Sequence, residues 1–109
     1  MTSPFPKDGP AVYFGFHDVH GFKDYVGYVI LSAPDQFDWN ADPGEEMDLD
    51  RAFVGLRYGF DVAAKEKGES RALEECRKLV EEALEDYRKG REREGVHRLQ
   101  QMDALLLQI

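Results

Sequence analysis

The chain has little of what would staple, span or repeat a protein. Its only cysteine, Cys76, can form no intramolecular disulfide, and a reducing cytoplasm is therefore the expected compartment. No apolar run approaches the roughly 18 residues that a spanning helix needs, and no segment recurs along the chain as a repeat. Basic residues are also scarce, with 14 Lys and Arg against 22 Asp and Glu, a formal charge of −8. Such a surface repels phosphate backbones and anionic headgroups, so neither nucleic acid nor a membrane is an expected partner. At 109 residues there is room for one shallow core. A multidomain enzyme or an enclosed cofactor chamber is excluded, and no cofactor is expected.

The charge is concentrated rather than spread. Residues 35–50 contain Asp35, Asp38, Asp42, Glu45, Glu46, Asp48 and Asp50 and no Lys or Arg, a charge of −7, whereas residues 51–109 balance 12 basic against 12 acidic groups. The same stretch carries Phe37, the single tryptophan Trp39 and Met47, and Pro34, Pro43 and Gly44 oppose regular structure there. It reads as a long acidic loop bearing aromatics.

The remainder reads as all-α, a small four-helix bundle-like domain. Over 71–88, Ala72, Leu73, Cys76, Leu79, Val80, Ala83, Leu84 and Tyr87 fall on one helical face, with Ser70 as N-cap and Gly90 as terminator. A helix over 92–108 follows on Val96, Leu99, Met102 and Leu106, and the short break between the two predicts an αα-hairpin. Residues 49–66 form another helix, capped by Asp48, with Leu49, Ala52, Phe53, Leu56, Phe60 and Ala63 on one face. A second stripe, Val54, Tyr58 and Val62, marks this helix either as central or as offering an apolar strip to a partner, including a second copy in a homodimer. Gly55 and Gly59 lie one turn apart, each costing roughly 1 kcal/mol of helix propensity, and predict a close backbone approach.

The segment 11–32 keeps a helical spacing through Val12, Phe16, Val19, Phe22, Val26, Val29 and Ile30, and one helix is expected. The alternative is an α+β chain with a β-hairpin over 11–31, favoured by Gly15, Gly21, Gly27 and the β-prone run 25–31. Residues 1–10, with one Lys and no apolar stretch, are expected to be a flexible tail before a single helical domain over 11–109.

Few residues arrange themselves for chemistry. On one helix, His17, His20 and Asp24 would share a face at i, i+3, i+7 and could hold a divalent metal, although no Glu-x-x-His partner completes the set. Asp38-x-Asn40-x-Asp42 opens like a calcium loop, but Pro43 stands where glycine is required and Leu49 where a bidentate glutamate belongs. Cys76 lies on an apolar stripe, no serine sits in a nucleophile turn, and no glycine loop cradles phosphate, so catalytic residues are not expected. The expected function is non-enzymatic binding of a basic protein. Carboxylates Asp35, Asp38, Asp42, Glu45, Glu46 and Asp48 would steer the partner, with Phe37, Trp39 and Tyr58 as anchors. Immunity or antitoxin-type inhibition of a basic toxin or enzyme fits best. The alternatives are a small acidic chaperone or adaptor for an exported effector, and a metal-binding enzyme or sensor built on His17, His20 and Asp24.

Overall fold

A glycine and an aspartate divide the first helical segment, although the apolar spacing runs on across them. The computed structural model describes residues 9–38, 44 and 46–109, and in it α1 covers Pro10–Phe14 and α2 covers Val19–Ser32. Pro10 starts α1, where its missing N–H removes no helical bond. Gly15 ends it at φ 79°, in the left-handed region that glycine enters without a Cβ penalty. Asp18 then starts α2, its Oδ1 accepting the Gly21 N–H at 2.8 Å. The single helix expected over 11–32 is thus corrected to two helices. The hairpin over 11–31 is overturned as well, because no described residue lies in a strand. The helical spacing persists because Phe16, in the link, turns inward and is buried with Val19 and Phe22. Within α1 the phase differs from the expected one: Tyr13 and Phe14 are buried and Val12 faces solvent.

The other three elements match their expected ranges to within two residues: α3 over Leu49–Lys67, α4 over Arg71–Arg88 and α5 over Glu92–Leu106. Asp48 caps α3 by accepting the Arg51 N–H at 2.8 Å, and Ser70 caps α4 by accepting the Leu73 N–H at 3.1 Å. The outcome is an all-α bundle of five helices rather than four among the described residues.

Helices α4 and α5 pair along their lengths as the expected hairpin, α2 packs on α3 and α5, and α3 is flanked by α1, α2 and α4. That central position accounts for the two apolar stripes of α3. Phe53, Leu56 and Phe60 are fully buried with Phe22, Leu73, Leu99, Met102 and Leu106, each such side chain stabilising the fold by about 1.5–3 kcal/mol. Val54, Tyr58 and Val62, the expected partner strip, pack half-buried against the same core. The expected close approach at Gly55 and Gly59 is present, but aromatic rings rather than backbone make it. A Cβ on Gly59 would fall 2.1 Å from the Phe22 ring, and one on Gly55 would fall 2.2 Å from the Tyr25 hydroxyl. That hydroxyl donates to the Ala52 carbonyl at 2.8 Å, locking α2 to α3. The N-terminus of α2 is tied down from a distance too, the Val19 N–H donating to Glu66 Oε2 at 3.0 Å.

Candidate functional site

The acidic segment connects α2 to α3, and one chain of aromatic rings underlies its described residues at both ends. At the departing end Phe37 is half-buried, its ring 6.0 Å from Tyr28. Tyr28 continues to Tyr25 at 6.2 Å, Tyr25 to Phe14 at 5.5 Å and Phe14 to Tyr13 at 4.9 Å. At the returning end the Arg51 guanidinium lies 5.7 Å from the Tyr13 ring centroid and donates to the carbonyls of Gly44 at 3.0 Å and Glu46 at 3.4 Å. Arg51 therefore fixes the last residues of the segment against α1, and Met47 is buried behind them.

On this frame Asp35, Asp38, Glu46 and Asp48 are exposed. None of the four pairs with a Lys or Arg among the described residues. Two of them also serve the local structure. Asp48 is the α3 cap, and Glu46 Oε2 accepts the Gly44 N–H at 2.9 Å. Burial, and after it the charge of Asp38, raises the Tyr28 phenol above its ordinary value, so the Asp38 charge is felt at the ring chain. Asp50, the last acid of the segment, differs from the other four in holding Arg88 at 2.7 Å. Trp39, Asp42 and Glu45, with the Asp38-x-Asn40-x-Asp42 pattern beyond its first residue, lie outside the described residues.

Tyr58 sits apart from this group. Its ring lies 5.1 Å from Phe16 and 6.1 Å from Phe14, and its hydroxyl donates to the Phe16 carbonyl at 3.1 Å. Its place in the fold is to close the α1–α2 link over α3. Beside it an open cleft of about 410 Å³ is lined by His17, Tyr58, Asp61, Val62, Lys65 and Glu66. The cleft carries both signs of charge and so has no clear preference for a cation or an anion.

The metal candidates do not form a helical set. His17 precedes the Asp18 cap and belongs to the link, while His20 and Asp24 lie on α2, so the i, i+3, i+7 face does not exist. Among the described residues no group of three or more His, Cys, Asp or Glu is placed to hold a metal. Cys76 is buried, its thiol donating to the Met102 carbonyl at 3.6 Å, and burial pushes its pKa up to about 11. It is a thiol at neutral pH and a poor nucleophile.

Sequence reasoning passed over Leu31, which is 85% exposed at the last turn of α2, beside the start of the acidic segment. The signal was available in the helical spacing itself. Val26 and Val29 then face the core, and Leu31 falls on the opposite side. No helix among the described residues is long and apolar enough to cross a membrane. Comparison of the chain with models of protein families, with curated proteins and with solved structures gave no match.

Proposed function

We propose that the protein is a non-enzymatic binding module that neutralises a basic protein, as a cytoplasmic immunity or antitoxin-type inhibitor does, by docking an acidic surface on it. The surface comprises Asp35, Phe37, Asp38, Glu46 and Asp48, and the sequence adds Trp39, Asp42 and Glu45 between them. One observation carries the reading. Among the described residues Asp35, Asp38, Glu46 and Asp48 stand exposed without cations, while α4 carries paired carboxylates: Glu85 with Lys89 at 2.7 Å, and Asp86 with Arg91 at 3.1 Å and Arg98 at 2.6 Å. Unpaired like charges oppose a compact fold, and a basic partner relieves that repulsion while being steered toward the surface at long range. Phe37, half-buried with its ring 6.0 Å from Tyr28, would supply an aromatic anchor beside the carboxylates.

The test joins Asp35→Asn, Asp38→Asn, Glu46→Gln and Asp48→Asn. These substitutions remove charge but keep a hydrogen-bonding side chain, and Asn at 48 can still cap α3. Stopped-flow association is measured with the basic protein that the native chain retains from its lysate at low ionic strength. The variant should associate about tenfold more slowly at low salt and converge on the native rate at high salt. An equal rate at low salt removes this surface from the interface.

A further inference from the structure

Most glycines inside the helices have a visible reason. Gly55 and Gly59 receive aromatic rings, and a Cβ on Gly21 would fall 2.6 Å from the Phe16 Cβ. Gly27, in the middle of α2, is different. A Cβ built there meets nothing within 4 Å, and its φ is not in the region that requires glycine. Alanine would fit and would make a better helix. Nothing within the described chain uses the missing side chain.

The position of Gly27 on the helix suggests what does. Val19, Phe22, Tyr25, Val26 and Val29 face the core, which turns His20, Asp24, Gly27 and Leu31 outward along one stripe, with the half-buried Lys23 at its border one turn before Gly27. Leu31, one turn beyond Gly27, is the most exposed large hydrophobic residue described, at 85%. Gly27 leaves a notch in the stripe, and Leu31 stands as a knob beside it. The helix continues past Leu31 into a turn closed by the Gln36 N–H on the Ser32 carbonyl at 2.7 Å, and exposed Asp35 and Asp38 lie in and just after that turn. Asp24 lies at the other side of the notch, exposed.

We infer that this face of α2 is the apolar centre of the interface proposed above, on which the inference rests. A side chain of the basic partner seats against the α2 backbone at Gly27, Leu31 enters an apolar pocket of the partner, and Lys or Arg groups around that pocket meet Asp24, Asp35 and Asp38. The charge pattern selects the occupant. Asp24, Asp35 and Asp38 outnumber the bordering Lys23, so a second copy of this chain would set one net negative face against another, whereas a basic surface complements it.

The experiment titrates the native chain, Gly27→Gln, Leu31→Ser and Leu107→Ser, by calorimetry, with the basic protein retained at low ionic strength and then purified. Gly27→Gln restores helix propensity while filling the notch, so it should raise the melting temperature by about 2–8 °C and still weaken binding about tenfold or more. Leu31→Ser should weaken binding to a similar degree with no change in melting temperature. Leu107, 79% exposed at the far end of the chain, is the control for general loss of apolar surface, and Leu107→Ser should bind as the native chain does. Native-like binding by Gly27→Gln and Leu31→Ser, beside weakened binding by the fourfold charge variant, overturns this inference and leaves the proposed function standing. Retention of no basic protein by the native chain overturns both. A native dimer that Leu31→Ser dissociates overturns the inference in favour of a second copy.

Discussion

The two long helix pairings of this small bundle share buried apolar side chains and a ring set against glycine, Tyr87 over Gly95 in the one and Phe22 over Gly59 in the other, and differ in their polar links. Helices α4 and α5 are joined by Lys89–Arg91 and carry their polar links close to that turn. Arg98 bridges Asp86 and Glu82, and Arg91 and Lys89 reach back to Asp86 and Glu85. Helices α2 and α3 are joined by the acidic segment and are held by rings set into glycines, with Tyr25 donating to Ala52 and Val19 to Glu66. A pairing with a short connection brings its partners together at small entropic cost and can tolerate solvent-exposed ion pairs, each worth little. A pairing with a long connection starts with a larger closure cost, and here shape complementarity opposes it. Of the described carboxylates of that connection, Asp48 still caps α3 and Asp50 holds Arg88, whereas Asp35 and Asp38 enter no ion pair with a described Lys or Arg.

This contrast predicts that the α2–α3 pairing fails most severely by steric means. Gly59→Leu places a side chain where the Phe22 ring already sits, and should cost about 3 kcal/mol or more in a urea unfolding experiment, the upper range of overpacking. A native unfolding midpoint would show that the rings are not seated in the glycine positions. The α4–α5 pairing should respond to charge instead. Asp86 is almost wholly buried, and Asp86→Ala leaves Arg98 and Arg91 without it, but both arginines remain partly open to water. The loss should therefore be about 2 kcal/mol, below the roughly 3–5 kcal/mol of a fully buried pair. Retention of full stability would mean that apolar contacts alone hold the hairpin. The smallest effect belongs to the acidic segment. Asp35→Asn with Asp38→Asn should leave stability within about 0.5 kcal/mol of native or raise it slightly. A clear loss of melting temperature would place these carboxylates among the supports of the fold.

Legibility in the sequence followed the same division. Helices α3 and α4 could be read because their caps and their apolar periods agree, Asp48 and Ser70 standing immediately before long amphipathic stretches, and α5, which has no side-chain cap, could be read from its period after the break at Gly90. The α1–α2 break was hidden because Phe16 keeps the helical spacing while sitting in a link, so a pattern of burial imitated a pattern of backbone. The decisive signals, Gly15 and Asp18, are local and compete with that longer-range period. The same error produced the His17, His20 and Asp24 set, whose common face needed one unbroken helix. At the candidate surface the unpaired carboxylates were visible as composition. The role of Tyr58 was not, because a half-buried aromatic that closes a link and one that awaits a partner look identical along a chain. Leu31 went unnoticed for the opposite reason. It lies in an apolar run that masks its direction, although the helical phase of Val26 and Val29 turns it away from the core.

The hydrogen bond from Val19 to Glu66 gives the start of α2 an unusual dependence. The first amides of a helix ordinarily exchange with solvent as the end frays, reporting only on their own turn. The Val19 amide is held by a side chain 47 residues further along, at the last turn of α3. Its deuterium uptake therefore measures how often the two helices part, and slow exchange at Val19 relative to His20 would give a residue-level clock for the opening of that half of the molecule.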